Sequence, residues 1–339
     1  MYLISLIIPI FNAEHCLDNT INSVLNQSIN FKNIELILVD DNSSDDSKKI
    51  IEKYASKYDN IVPFYSGTNH GAPGFGRNVG LEKSTAEYIM FMDNDDELDM
   101  DICKRLYETI TTENADVVCC DKVDVDHINE IRRNIKYVNG IEKGNSIIIE
   151  NEDILLFNNV SVWNKIYRKK IIIENEIKFL ENTSADDFIF MIHYFLKSNK
   201  LIYLKNYFGY YWNIKSDSLS HVSTIGYIEE MLLANYIILD ILKNENKLHL
   251  ANGIFKENIV YLLVQCSYLN VNTDDFVNIL KKIREFEIDI NFSINLDEKW
   301  ANITNQFILN EKFRLATFSL KLLNKIRKID LLRKIKRKK

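Results

Sequence analysis

The sequence predicts an α/β sandwich on a mostly parallel sheet, followed by an α-helical C-terminal region. Three observations carry this expectation. Apolar runs of strand length at residues 3–10, 34–39, 61–65 and 88–92 have no polar face, as parallel strands covered by helices on both sides require. The intervals at 15–27, 45–58 and 74–83 carry helical spacing, giving the strand–helix alternation of a layered α/β fold. Beyond about residue 220 only helical patterns remain.

Taken in order, the first helix shows its apolar stripe through Leu17, Ile21, Val24 and Leu25. The second is expected to start after an N-cap at Ser43 or Ser44, with acids in its first turn. From Met100 the alternation continues as a helix to about Thr112 and a strand at 116–121, then a mixed region to about Ser220. Helices are expected at 225–242, 255–269 and 274–287, the last capped by Thr273. The expected organisation is a domain at 1–220, a helical region at 221–317 and a basic tail at 318–339.

The 339 residues, 46% apolar with 11% aromatic, suffice for a large core, and 3 Pro with 10 Gly leave little room for linkers. The net charge of −6 is uneven. Residues 321–339 carry ten Lys and Arg against Asp330 alone, a charge of +9, so the other 320 residues carry −15. An acidic body disfavours nucleic acid as its partner. Five cysteines without CxxC spacing argue against zinc or a disulfide framework and for reduced thiols in a cytoplasmic protein. The apolar start lacks a basic segment and a cleavage site, and no run reaches the roughly 18–20 residues needed to cross a bilayer.

Three strand ends carry unusual polar groups, where ligands of open α/β sheets bind. The first strand ends in Pro9-Ile10-Phe11-Asn12, the second in Asp40-Asp41-Asn42-Ser43-Ser44-Asp45, and the fourth in Asp93-Asn94-Asp95-Asp96. Acids crowded against apolar walls repel one another, which points to a cation or a hydrogen-bonding ligand. Ser43, Ser44 and Asp45 also read as a helix cap, whereas Asp40 and Asp41 stand too early to cap anything. A carboxylate there can accept the imide N–H of uracil. A calcium EF-hand loop from Asp93 fails, because Leu98 and Lys104 stand where Gly and Glu belong. The D-x-D of Asp93 and Asp95 suits a hard divalent cation, Mn²⁺ or Mg²⁺, that also meets a diphosphate. Gly67, Gly71, Gly74, Gly76 and Gly80 fall within fourteen residues, a density that lets backbone approach a ligand ahead of a helix N-terminus. A dinucleotide fingerprint would need glycines after the first strand, where Phe11-Asn12-Ala13-Glu14 stands. Asp186 and Asp187, adjacent acids opening a helical run, suit a general base or simply a helix N-terminus.

The order of these motifs resembles the family 2 glycosyltransferases of the GT-A fold, especially bacterial enzymes that build capsule, lipopolysaccharide or teichoic-type polymers. The resemblance extends through Arg77-Asn78, Trp163-Asn164-Lys165-Ile166-Tyr167-Arg168, Asp186-Asp187 and residues 211–220. It implies metal-dependent, inverting transfer from a nucleotide-diphosphate sugar to a glycan or lipid-linked acceptor. It places Asp41 on uracil, Pro9 and Phe11 along the nucleotide pocket with Asn12, Asp40 and Asn94 beside them, and Arg77 toward the donor. Asp93 falls near the ribose and donor sugar, Asp95 on the metal, and Asp187 at the general base. Two departures stand out: Asp186 replaces the usual Glu, and Trp212-Asn213 replaces an aromatic-Arg pair. Ser218, Ser220 and His221 are candidate diphosphate or metal neighbours. The alternatives are a sugar-nucleotide nucleotidyltransferase, which lacks its expected Arg-containing loop here, and an inactive nucleotide-binding scaffold.

In the tail, Leu320, Leu322, Leu323, Ile326, Ile329, Leu331, Leu332 and Ile335 alternate with cations. This is the pattern of an amphipathic helix on the inner membrane surface, or of a solubilising C-terminus packed on a neighbouring helix. The apolar helix at 225–242 offers a surface for a homo-oligomer.

Overall fold

The computed structural model describes every residue except 128–129, 137–145, 157–160, 215–223, 291–295, 297 and 337–339, and the side chains at 154, 156 and 327–336. The chain divides into two compact units, Met1–Ser216 and Asp217–Lys339.

The first unit opens with β1 (Ile4–Ile10), α1 (Leu17–Leu25), β2 (Ile34–Asp40), α2 (Ser47–Ala55), β3 (Ile61–Tyr65), α3 (Pro73–Lys83) and β4 (Tyr88–Phe91). It continues with β5 (Glu97–Leu98), α4 (Ile102–Thr112), β6 (Val117–Asp126), β7 (Ile131–Ile135) and β8 (Ser146–Glu150). β9 (Lys165–Arg168), α5 (Lys169–Glu174), α6 (Asp186–Leu196) and β10 (Lys200–Asn213) complete it. The sheet runs β3-β2-β1-β4-β9-β6-β10-β5, with β7 on β6 and β8 on β10. β3, β2, β1 and β4 are mutually parallel, whereas β9 runs antiparallel to both β4 and β6.

Every residue of β1 and β2 is buried, which is why those runs show no polar alternation. Close packing of α3 on this sheet explains much of the glycine cluster. A Cβ on Gly76 would lie 2.9 Å from Pro9, and one on Gly80 would overlap Ile7. A Cβ on Gly74 would meet the Leu180 carbonyl. Gly76 and Gly80 thus serve helix–sheet contact and Gly74 serves contact with the loop at Leu180, correcting the reading of these three as ligand approach. Gly67 and Gly71 are in open space, and only Gly71 needs its glycine conformation, at φ +78°.

Two cap assignments also change. α2 starts at Ser47, and Ser43 and Ser44 do not cap it. Ser43 Oγ accepts from Asn12 N–H (2.9 Å), and Asn12 Oδ1 accepts from Ser44 N–H (2.9 Å), tying two strand ends together. Before the helix Thr273–Ile290, Asn272 is the residue whose Oδ1 accepts from Asp275 N–H (2.9 Å).

The second unit holds α7 (Ile225–Asn244), α8 (Ala251–Tyr268), α9 (Thr273–Ile290), α10 (Lys299–Leu309) and α11 (Phe313–Lys336). Ile228, Leu232, Ile238, Leu239 and Leu242 of α7 are buried, whereas Leu233 on the same helix is 55% exposed. No described helix is long and apolar enough to cross a membrane. All five cysteines are free, and four are buried.

Candidate active site

The carboxyl end of β4 and the N-terminus of α6 meet across Arg77, on α3. Its Nη2 donates to Asp93 Oδ1 at 2.8 Å, and its Nη1 donates to Asp186 Oδ2 at 2.6 Å and to Asp187 Oδ1. These partners stand 16, 109 and 110 residues away in sequence. Arg77 is 3% exposed, and its guanidinium lies 5.4 Å over the Phe179 ring. Phe179 belongs to an aromatic cluster that sets α6 against β4. It stacks on Phe190 at 4.0 Å and meets Phe91 edge-on at 5.1 Å, while Phe91 also meets Tyr167. Asp186 and Asp187 are thereby fixed in the first turn of α6, where the helix dipole favours them.

One cation against three acids leaves a formal charge of −2. Burial pushes the Asp187 carboxyl up to about 6 despite Arg77, with Asp186 adding to the rise. Burial likewise pushes Asp93 up to about 6; Arg77 opposes the shift, and Asp187 and Asp95 reinforce it. Asp186 is raised for the same first reason. Burial opposes the Arg77 charge, yet the three carboxylates hold its guanidinium above its ordinary value.

The turn from Asp93 to Asp96 is pinned from outside. Tyr210 Oη accepts from Asp93 N–H (3.2 Å) and donates to Asp96 Oδ2 (2.6 Å). Asp96 Oδ1 accepts from Asn213 N–H (2.9 Å), and Asn213 Nδ2 donates to the Asp95 carbonyl (2.6 Å). Thr20 Oγ1 lies 2.9 Å from the carbonyls of both Asn94 and Asp96. Asp96 is therefore an internal post, and burial with Asp93 and Asp95 nearby drives its carboxyl well above the usual range. The Trp163 ring stacks on Tyr210 at 4.5 Å.

At the end of β2, Asp41 is held by neighbours. Its Oδ2 accepts from His70 N–H (2.8 Å) and Asn69 Nδ2 (3.3 Å), and its Oδ1 lies 2.7 Å from His70 Nδ1. A carboxylate has about four acceptor positions, so one remains for a ligand donor. Asp40 Oδ2 accepts from Ser43 N–H (3.3 Å), whereas Asp40 Oδ1 is buried without a hydrogen-bond partner. Pro9 is buried under α3, Phe11 is exposed, and Asn12 takes φ +47°.

Arg77, expected to approach a donor, turns inward here. Asp93, Asp186 and Asp187 come together, and Asp95 and Asn94 lie half-buried on the same turn. Asp40, Asp41, Pro9, Phe11 and Asn12 sit on neighbouring strand ends. Ser218, Ser220 and His221 lie outside the described residues. Sequence patterns assign no role to Asp96 or Lys165, although both fall within the motifs, and show no sign of Tyr210. Lys165 is fully buried, with Nζ donating to Ser161 O (2.5 Å) and Asn164 Oδ1 (3.0 Å), and burial lowers its ammonium to about 8. A lysine next to the apolar pair Ile166-Tyr167 was the available signal.

No cluster of three His, Cys, Asp or Glu side chains able to cage a metal occurs among the described residues. The carboxylates of Asp93 and Asp95 are hard oxygen donors on one turn. That donor set would suit a hard divalent cation.

This sandwich, with acids gathered at the strand carboxyl ends, is that of a GT-A nucleotide-diphospho-sugar transferase. S. aureus TarS 1-349 in complex with UDP-GlcNAc shares the fold, with a TM-score of 0.74, 22% identity, and coverage of 95% of this chain and 92% of that one. The sequence model described as "Glycosyl transferase family 2" matches residues 5–176. The Staphylococcus aureus poly(ribitol-phosphate) beta-N-acetylglucosaminyltransferase TarP is 32% identical over 268 residues, 76% of this chain and 79% of TarP. The cholesterol galactosyltransferase of Borreliella burgdorferi is 29% identical over 270 residues, 76% of this chain and 72% of that one. A Bacillus spizizenii poly(ribitol-phosphate) beta-glucosyltransferase is 30% identical over 226 residues, which span 65% of this chain and only 33% of that protein. The chain belongs to family 2 of the glycosyltransferases.

Proposed function

We propose that the protein transfers a sugar from a UDP-sugar to a hydroxyl of a glycan or lipid-linked acceptor in bacterial cell-surface polymer synthesis, with inversion at the anomeric carbon. The observation that carries this reading is the Arg77 bridge, which joins Asp187 to the Asp93 turn. The relatives support the substrate classes: TarP is a poly(ribitol-phosphate) N-acetylglucosaminyltransferase, and TarS was crystallised with UDP-GlcNAc.

In this reading Asp187 is the general base. A carboxyl raised to about 6 is mostly ionised at neutral pH yet is a stronger base than an ordinary aspartate. It takes the proton of the acceptor hydroxyl as that oxygen bonds to the anomeric carbon. The bond from that carbon to the diphosphate breaks, and the nucleoside diphosphate leaves with the electron pair. Arg77 and Asp186 hold Asp187 in place. Asp41 accepts the uracil N–H, with Pro9, Phe11, Asn12 and Asp40 around the nucleotide and Asn94 on the donor side. Asp95 and Asp93 hold Mn²⁺ or Mg²⁺, which when bound supplies Lewis-acid stabilisation of the charge on the leaving diphosphate.

Calorimetric UDP titration with and without Mn²⁺, paired with turnover, tests the roles. Asp95→Asn is expected to lose Mn²⁺-dependent UDP binding and turnover together. Asp187→Asn is expected to keep UDP binding and lose turnover by roughly 10²–10⁴-fold. Equal loss of UDP binding in both variants refutes the division of roles, and a wild type that binds no UDP refutes the donor.

A further inference from the structure

Up to Ile326, α11 presents two apolar faces; Ile329, Leu331, Leu332 and Ile335 of the tail pattern lie outside the described side chains. Ala316 and Leu320 are fully buried, so that face is already spent on the helical unit. A second line faces outward: Leu315 (49% exposed), Phe318 (68%), Leu322 (46%) and Ile326 (48%). Their spacing of i, i+3, i+7 and i+11 keeps them in one sector of a straight helix, a stripe about 16 Å long. Scattered exposed apolar side chains need no explanation, but an aligned row on one helix does. Arg314, Lys321 and Lys325, all exposed, lie in the sector beside the stripe. The sequence continues it with Ile329 at i+14, within the segment of ten Lys and Arg against one Asp.

We propose that this outward stripe of α11 is a docking surface for an anionic lipid bilayer, with Phe318 and Leu322 entering the headgroup boundary and the flanking cations contacting lipid phosphates. Charge selects the occupant. Residues 312–329 carry six Lys and Arg and no Asp or Glu, so a second copy of the stripe would bring only like charge, whereas an anionic leaflet brings the opposite charge to the flank. The proposal stands independently of the donor, the metal and the acceptor.

The test is co-sedimentation of the full chain with vesicles of phosphatidylcholine alone or mixed with phosphatidylglycerol, alongside sedimentation velocity without lipid. The expected result is binding to the anionic vesicles only, weakened by salt. Lys321→Gln with Lys325→Gln is expected to weaken it roughly thirty-fold, and Phe318→Ser with Leu322→Ser by more than about tenfold. All four side chains are at least partly exposed, and circular dichroism checks that each variant is folded. A wild type that ignores both vesicles, or binds both equally, overturns the proposal. So does a wild type that sediments as an oligomer and becomes monomeric in Phe318→Ser/Leu322→Ser, which assigns the stripe to a second copy.

Discussion

Replacing Asp187 with Asn is expected to stabilise the ligand-free protein at neutral and alkaline pH while removing its turnover. The cluster carries three carboxylates for one guanidinium, so deleting one charge moves it from −2 to −1 and leaves Arg77 paired to Asp93 and Asp186. The Asp187 carboxyl is raised from 3.8 to about 6, chiefly by burial. A raised native value means that the native state binds the extra proton. Its contribution is therefore fully present below pH 3.8 and is lost as pH climbs through about 6. At about 1.4 kcal/mol per unit the loss has a ceiling of about 3 kcal/mol. Asp187 is 25% exposed at its side chain, and solvent screening brings this to about 1–3 kcal/mol. The amide forfeits one acceptor toward Val162 N–H, but that contact is long, at 3.3 Å. Calorimetric melting at pH 4 and pH 8 reads the effect, at roughly 2–4 °C for each kcal/mol. The gain should be near zero at pH 4 and complete by pH 8. A variant that is destabilised at both pH values, or shifted by the same amount at both, would refute the charge argument.

Three further outcomes follow from the geometry. Tyr210→Phe removes the hydroxyl bridging Asp93 N–H and Asp96, and should cost about 1–3 kcal/mol in urea unfolding. It should also weaken Mn²⁺-dependent UDP binding, which a purely structural loss would leave unchanged. Gly80→Ala forces a methyl into Ile7 and should cost about 1–3 kcal/mol by the same assay, whereas Gly67→Ala, in open space, should be near neutral. Glu287→Gln should stabilise the helical unit above pH 7. Burial raises that carboxyl to about 7, Asn305 Nδ2 donates to its Oε1 (2.7 Å), and a new Nε2 can donate to the partnerless Asn305 Oδ1. Melting curves from pH 5 to 9 should flatten in the variant; an unchanged slope would contradict this.

Fold and site were not equally legible in the sequence. β1 to β4 announced themselves because strands buried on both faces must be apolar throughout. β10 did not, because its run from Lys200 to Asn213 mixes Lys, Asn, Tyr and Trp and shifts register near Gly209. Its pairing with β6, more than eighty residues away, leaves no local period to read. The acids at 93–96 and 186–187 were visible because charges interrupt apolar runs. Their assembly was not, since the residue that joins them lies on a third element. Helix-packing glycines surround Arg77, and their tight contact with the sheet sets where its guanidinium falls.

A raised carboxyl does not by itself mark a site, and this chain holds a control. Glu287 and Asp187 are both buried acids shifted upward. Glu287 faces an amide, and apart from that hydrogen bond only burial moves it, so its shift is the ordinary cost of a polar core residue. Asp187 is moved by burial, by Arg77 and by Asp186 together, and its neighbours come from the ends of separate elements. Neutralising Glu287 should change stability alone, while neutralising Asp187 should raise stability and abolish transfer. That opposition is what a residue kept for chemistry at the expense of the free fold must show.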